Sequence, residues 1–143
     1  MKNYDQFHDG WLDGVLIEQA SVQVFISTEE KQPFVIVAEG VTALSADGFK
    51  SGNIIFEVLT KAGDELTVRD IAASYGLSED VNGQEQAQKL LGKALERGLT
   101  VLQINPSYGA TCILLAESID LLPRREYNYD ASRNQSKSES TIT

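Results

Sequence analysis

The single histidine and the single tryptophan of the chain, His8 and Trp11, lie in one short segment with two aspartates, Asp9 and Asp13. A histidine and carboxylates could together bind a divalent cation, or an aspartate could orient the imidazole as a general base, since the ordinary pKa of histidine lies near neutrality. One histidine and two carboxylates form an incomplete ligand set for a metal. We therefore predict no metal site and no cofactor here, and take His8, Asp9, Trp11 and Asp13 as candidate binding residues.

The same segment also has a structural interpretation. Asp9-Gly10 and Asp13-Gly14 are typical turn or bulge elements, which could shape the start of a first strand. Phe7 and Trp11 would then pack inward, while His8 would hydrogen-bond to the backbone. Because clustered polar groups often serve structure instead of catalysis, we favour this interpretation over a catalytic one.

A second group of candidate binding residues lies in a turn that contains Asn105, Ser107 and Tyr108, with Pro106 and Gly109 as its turn formers. No catalytic signature accompanies these residues. The chain has no His-Glu-x-x-His zinc motif, no Gly-x-Ser-x-Gly elbow and no phosphate loop ending in Gly-Lys-Ser/Thr. The sequence therefore favours a non-enzymatic protein over an enzyme.

The composition is that of a globular protein with an acidic surface. The chain has 143 residues, of which 42% are hydrophobic and 23% charged, and its net charge is −9. This length suits one domain with an ordinary core. Nucleic acids and anionic membranes are disfavoured as partners because they carry the same sign of charge. A basic protein partner is favoured instead, while the oligomeric state cannot be read from the composition.

Three further features of the sequence lead us to expect a cytoplasmic protein. Cys112 is the only cysteine and lies in an apolar run, so we predict a buried side chain and no intrachain disulfide. The first residues lack the pattern of a signal peptide. No apolar run approaches the roughly 20 residues that span a bilayer.

Strand patterns dominate the chain on both sides of one clear helix. Alternating or β-branched apolar runs predict six strands, near residues 15–18, 21–26, 34–38, 54–59, 99–104 and 110–119. Apolar residues at three- and four-residue spacing predict an amphipathic helix over 83–97, with Asn82 as its N-cap and Gly98 at its end. We therefore expect an α+β fold, with a mostly antiparallel sheet of about six strands and the 83–97 helix packed on it.

The segment 66–77 fits two structures. As a helix near 68–75, it would have an apolar stripe, Thr67 as its cap and Gly76 at its end. As a strand, it would begin with alternating residues but continue into a stretch of alanine and serine that suits strands poorly. We expect a single domain over 1–122 and, over 123–143, a polar tail too poor in aliphatic residues to order itself.

The helical alternative resembles the first helix and turn of a helix-turn-helix. The matching residues are Ile71-Ala72 and Gly76-Leu77-Ser78. The residues after this match depart from that family, because a recognition helix starting at Ser78 would open with Glu79 and Asp80. Acidic residues there would face phosphates and base acceptors, so the sequence disfavours DNA binding.

A broader resemblance is to a family of uncharacterised small bacterial proteins. It rests on Phe-His-Asp-Gly at 7–10, Gly-Asn-Ile-Ile at 52–55 and Ile-Asn-Pro-Ser-Tyr-Gly at 104–109. The resemblance supplies no activity, but it implies that the first and third motifs share one face of the fold. The Phe-His-Asp start before a β-rich domain is also similar to certain bacterial toxin-immunity proteins.

These observations lead to three functional hypotheses. The first is a binding or interaction domain that recognises a basic protein partner, in the manner of an immunity protein. The second is a metal-dependent or His/Asp hydrolase that uses His8, Asp9 and Asp13. The third, which the acidic residues disfavour, is a helix-turn-helix DNA-binding regulator.

Overall fold

The computed structural model describes residues 4–124 and shows an α+β fold built on one antiparallel sheet. The sheet has eight strands, β1 to β8, and two α-helices, α1 and α2, follow β5. Two short 3-10 helices, Asp5–Phe7 and Gly63–Glu65, precede β1 and α1. In chain order the strands are Trp11–Glu18, Ser21–Ser27, Pro33–Glu39, Ala43–Asp47, Ile54–Ala62, Thr100–Tyr108, Thr111–Ala116 and Ser118–Pro123, and the helices are Val68–Tyr75 and Val81–Arg97.

The sheet consists of two four-stranded halves joined at one point. The strand order is β4-β7-β6-β5-β1-β2-β3-β8. Strands β5 and β1 pair only at Ile54 and Trp11, whereas the other neighbouring strands pair over five or more residues. Buried residues of both halves, such as Val24 and Leu114, belong to one hydrophobic core. The sheet therefore folds over so that its two halves enclose this inner core.

The helices cover part of the outer face of the half-sheet formed by β4, β7, β6 and β5. Ile71 of α1 and Ala87 and Ala94 of α2 form a second core with Val101 and Leu115 on the sheet. Residues 101 and 102 thus point to opposite faces of β6, and both are buried. This explains why β6 and β7 are more continuously apolar than a strand with one face in water.

The helix boundaries agree in part with the sequence. The segment 66–77 contains helix α1, with Thr67 as its N-cap and Gly76 in the left-handed conformation at its end. The helical alternative for this segment is therefore confirmed. The longer helix begins at Val81, earlier than predicted. Its cap is Asp80, which accepts a hydrogen bond from the Gly83 backbone, and the prediction of Asn82 as the cap was wrong.

The number of strands also differs from the prediction, which was about six. The additional strand β4 arises in a segment rich in turn formers, where Ser45 pairs with Ile113 of β7. The predicted strand over 110–119 is divided at Glu117 into β7 and β8, which pair with different strands. These two differences account for the eight strands observed, and both come from pairing with distant residues that local patterns do not report.

The C-terminal boundary of the described fold is anchored. Pro123 still pairs with Phe34 in the β8–β3 ladder, and the Arg124 side chain donates hydrogen bonds to the Phe34 and Ile26 carbonyls. The remainder of the predicted tail, 125–143, lies outside the described residues. Cys112 is buried as predicted, and burial raises the pKa of its thiol to about 12. Within 4–124 no helix has both the length and the apolar character needed to cross a membrane.

Candidate functional site

The segment that begins the first strand is shaped by a left-handed residue and a bulge. Asp9 has a φ of 63°, and its backbone donates to the Ile55 carbonyl at 2.9 Å while the Ile55 backbone donates to the Gly10 carbonyl at 2.9 Å. A Cβ at Gly10 would lie 2.2 Å from the Ser27 carbonyl oxygen, so only glycine fits there. The β1–β2 register shifts at Asp13. The predicted turn and bulge are both confirmed.

A hydrogen bond from its Nδ1 atom holds the imidazole of His8 against β5. Its Nδ1 lies 2.7 Å from the Phe56 carbonyl oxygen, and because a carbonyl can only accept, Nδ1 carries the proton. The imidazole also meets the Phe56 ring edge to face, with 5.7 Å between the centroids. The predicted hydrogen bond from His8 to the backbone is confirmed.

The electrostatic surroundings of His8 favour its charged form. The hydrogen bond to the Phe56 carbonyl raises the pKa of His8, and the negative charges of Asp9 and Glu29 raise it further. The Asp9 Oδ2 lies 3.6 Å from His8 Nε2. These interactions therefore stabilise the protonated imidazole relative to the neutral one.

A cleft of about 310 Å³ separates the first 3-10 helix from β5; we call it the His8 cleft. Apolar and charged groups share its walls. The residues that line it are Tyr4, Asp5, His8, Phe56, Glu57, Val58 and Leu59. Phe56 stands at the β5–β6 register irregularity between Ile55 and Glu57, and its side chain is 51% exposed. The cleft therefore combines an exposed aromatic ring with two carboxylates and an imidazole.

One hydrogen bond connects the His8 cleft with the second predicted group of residues. The Asn105 amide Nδ2 donates to Glu57 Oε2 at 2.8 Å, across the β5–β6 ladder. Asn105 in turn accepts from the Gln103 amide at 3.2 Å. The predicted site residue Asn105 thus reaches the cleft through Glu57, a residue that the sequence did not single out.

The prediction of a turn over 105–109 was wrong, because β6 continues to Tyr108 by pairing with β5 and the chain turns only at Gly109, which has a φ of 93°. The other predicted residues of this group lie beyond the Asn105 connection. Tyr108 is opposite Ile54 on β5, and its side chain is 56% exposed. Ser107 is exposed beside it. The segment 7–10 and the end of β6 therefore flank the start of β5, one on each side. Within the described residues, no hydrogen bond joins the two directly.

Asp13 and Trp11 are engaged elsewhere. The Asp13 carboxylate accepts a hydrogen bond from the Arg124 guanidinium at 2.6 Å. Trp11 is half-buried, and the prediction that it packs inward was wrong, because its strand neighbour Leu12 enters the inner core and successive side chains of a strand alternate between faces. The Lys31 ammonium lies 3.6 Å from the centre of the Trp11 ring. Neither residue lines the His8 cleft, so only part of the predicted segment contributes to one site.

The side chain of Asn53 connects three backbone segments around the start of β5, and the sequence did not single it out as a candidate site residue. Its side-chain oxygen accepts from the Lys50 and Ala110 backbone N–H groups, and its amide donates to the Leu12 and Lys50 carbonyls. It thereby joins the loop before β5 to β1 and to the turn after β6. An asparagine immediately before a strand, in a run of turn formers, is the local signal that could have identified it.

The histidine and the two aspartates of the predicted segment do not converge on one point. Within residues 4–124, no group of three or more histidine, cysteine, aspartate or glutamate side chains is placed to hold a metal ion. His8 contacts Asp9 but not Asp13, because the latter is paired with Arg124. The His8 cleft offers two carboxylates and an aromatic ring, which are groups that can contact a cationic side chain, beside an imidazole whose charged form is favoured.

Comparisons with known proteins add no relative to this description. No match to the chain was found among protein-family models, curated proteins or solved structures.

Proposed function

We propose that this chain is a non-enzymatic binding domain that recognises a basic segment of a protein partner at the His8 cleft. The observation that carries the proposal is that the exposed Phe56 lines the same cleft as the acidic residues Asp5 and Glu57. A lysine or arginine side chain can stack its charge on an aromatic face and donate hydrogen bonds to carboxylates at the same time.

The surroundings of the cleft extend this surface. Tyr108 is exposed on β6, next to the start of β5, and provides a second aromatic side chain. Exposed aromatic residues are enriched in protein interfaces because they bury much area at low cost in conformational entropy. Phe56 and Tyr108 would therefore form the apolar part of the interface.

The charge of the protein supports a basic partner. Asp9 and Glu29 lie close enough to act on the imidazole of His8, and the whole chain carries a net charge of −9. Such a field accelerates the approach of a basic partner and repels acidic ones. The resemblance to uncharacterised small bacterial proteins and to immunity proteins is in keeping with this function, and membership of such a family is part of the proposal, as is a cytoplasmic location.

The alternatives receive less support from the geometry. A hydrolase that uses His8, Asp9 and Asp13 needs Asp13 near the imidazole, and Asp13 is paired with Arg124 instead. A DNA-binding function would place the start of α2 near phosphate. Asp80 caps that helix, and hydrogen bonds from the Gly83 backbone and Ser78 lower the pKa of its carboxyl, which keeps it negative.

Synthetic basic peptides test the proposal directly. We would measure their binding to the full chain by fluorescence anisotropy, using Lys- and Arg-containing sequences and acidic sequences of equal length as probes. The variants Phe56→Ser and Glu57→Gln should weaken binding by at least about tenfold, which corresponds to about 1.4 kcal/mol. Added salt should weaken binding by the wild type as well.

Matched variants on α2 separate a local site from the general acidity of the chain. Leu95 is 46% exposed, close to the exposure of Phe56, and Glu96 is an exposed carboxylate. Leu95→Ser and Glu96→Gln should therefore leave binding within about twofold of the wild type. Equal losses for the cleft and α2 variants, or equal binding of acidic and basic peptides, would contradict a site at the His8 cleft.

A further inference from the structure

The edge of β1 that faces away from β2 carries exposed apolar side chains and pairs with β5 at one residue only. Strand β1 pairs with β2 along its whole length, but its other edge meets β5 only at Trp11. Within residues 4–124, no strand pairs with this edge over 13–18. Leu16 and Ile17 there are 43% and 58% exposed. An uncovered edge with exposed aliphatic residues is a template for pairing with another chain.

The two ends of the sheet are better protected than β1. Strand β8 carries Asp120 at its centre and ends at Pro123, which has no backbone N–H to donate. Strand β4 has only five residues and ends at the exposed Asp47. Charge, proline and short length are the usual means of blocking an edge. Between its bulge at Asp13 and Glu18, β1 has none of them.

We propose that a second copy of this chain covers the edge, with the two β1 strands paired antiparallel about Leu16. The proposal does not depend on the His8 cleft, because no residue over 13–18 lines it. A two-fold axis at Leu16 makes the contact self-complementary, as the common dimer symmetry requires.

The register explains why a second copy fits. Leu16 would lie opposite Leu16 of the partner subunit, and Val15 opposite Ile17 of the partner subunit. Val15 packs against the inner core, and Ile17 is opposite the buried Val22 on β2, so this pair would extend the inner core across the interface. Cross-strand pairs of β-branched residues are favourable in antiparallel sheets.

The charges of β1 are compatible with the same register. Glu18 would lie opposite Gly14, where a Cβ would meet no atom within 4 Å, so there is room for the longer side chain. The ladder would end at this pair, because Asp13 is the bulge residue and Gln19 lies in the β1–β2 turn with a φ of 57°. No two carboxylates therefore face each other directly. The net charge of each copy still opposes association, so added salt should strengthen the dimer.

Sedimentation equilibrium of the full chain measures the association. We expect a monomer–dimer equilibrium, with a dissociation constant at least about tenfold higher for Ile17→Lys, because a charged side chain would face the extended core. Leu122→Lys is the matched control, since Leu122 is 41% exposed on the edge strand β8. It should leave the dissociation constant unchanged. Circular dichroism would establish that both variants are folded.

A cysteine cross-link tests the register. Directly opposite residues of antiparallel strands have Cα atoms about 4.5–5.5 Å apart, within the range of a disulfide. Leu16→Cys should therefore form a covalent dimer with a mild added oxidant, whereas Leu122→Cys should not; the natural Cys112 is buried. The proposal is overturned if the wild type stays monomeric up to about millimolar concentration, or if the cross-link fails while the chain dimerises. It is also overturned if Ile17→Lys dimerises as the wild type does.

Discussion

The Asn105 side chain holds the carboxylate of Glu57 in place, through a 2.8 Å hydrogen bond between directly opposite residues of β6 and β5. This contact joins the C-terminal part of β6 to the His8 cleft. It gives Asn105 a positioning role toward Glu57, while Glu57 itself lines the cleft.

Replacing the Asn105 amide by a carboxylate should therefore disturb both stability and binding. We expect Asn105→Asp to lower the free energy of unfolding by about 1 to 2 kcal/mol, because a donor is lost and two negative charges become opposite neighbours. Urea denaturation measures this change. Gln86→Glu, at an exposed position of α2, makes the same change in net charge and should have an effect below about 0.5 kcal/mol. Similar losses for both variants would contradict a specific contact.

Asn53 should be among the most sensitive polar positions of the described fold. Asn53→Ala leaves two backbone N–H groups and two carbonyls without their partner, and we expect a loss of about 2 to 4 kcal/mol in the free energy of unfolding. The exposed Asn82 serves as the control, and Asn82→Ala should cost less than about 0.5 kcal/mol. An equally small effect at Asn53 would show that these hydrogen bonds contribute little.

The two arginines with carboxylate partners should differ in their contribution to stability. Arg124 donates to Asp13 and to the carbonyls of Ile26 and Phe34, and its side chain is 19% exposed. We expect Arg124→Ala to lower the free energy of unfolding by about 2 kcal/mol. Arg97→Ala removes only an exposed ion pair with Glu117 and should cost about 0 to 1 kcal/mol. Chemical denaturation of the two variants side by side compares them, and the reverse order would refute this ranking.

The single histidine allows a direct titration of the cleft. The hydrogen bond to the Phe56 carbonyl and the charge of Asp9 both raise the pKa of His8, so NMR should give a value above the ordinary 6.5. Asp9→Asn removes one of these causes and should lower the pKa. A group whose pKa is raised by folding stabilises the fold fully at pH values below its unfolded pKa. This contribution should decline as the pH rises through the folded value, and a pKa at or below 6.5 would contradict the observed contacts.

The local structure near the N-terminus and in the helices could be read from the sequence. Asp9-Gly10 and Asp13-Gly14 indicated the turn and the bulge, because their φ preferences and side chains act on their own backbone. The same is true of Thr67 and Gly76 at the ends of α1. Periodicity identified α2, although its first two residues were missed because Asp80 and Asn82 are both good caps.

The candidate site could be predicted only in part. His8 and Asn105 were singled out by residue type, but Phe56 and Glu57 have the pattern of ordinary strand residues. Their importance arises from the irregular pairing of β5 with β6 and from the 3-10 helix that lies beside them. A single sequence contains no direct signal for which distant strands become neighbours.

The sequence by itself determined the α+β class, the longer helix, the acidic character and the turn and bulge near the N-terminus, because these depend on composition and on residues close in the chain. The tertiary structure alone decided that the sheet has eight strands, that Asp13 pairs with Arg124, and that Asn105 reaches Glu57. It also left one edge of β1 uncovered within the described residues. These features depend on pairing between residues far apart in the chain, where burial and hydrogen bonding across strands outweigh local preference.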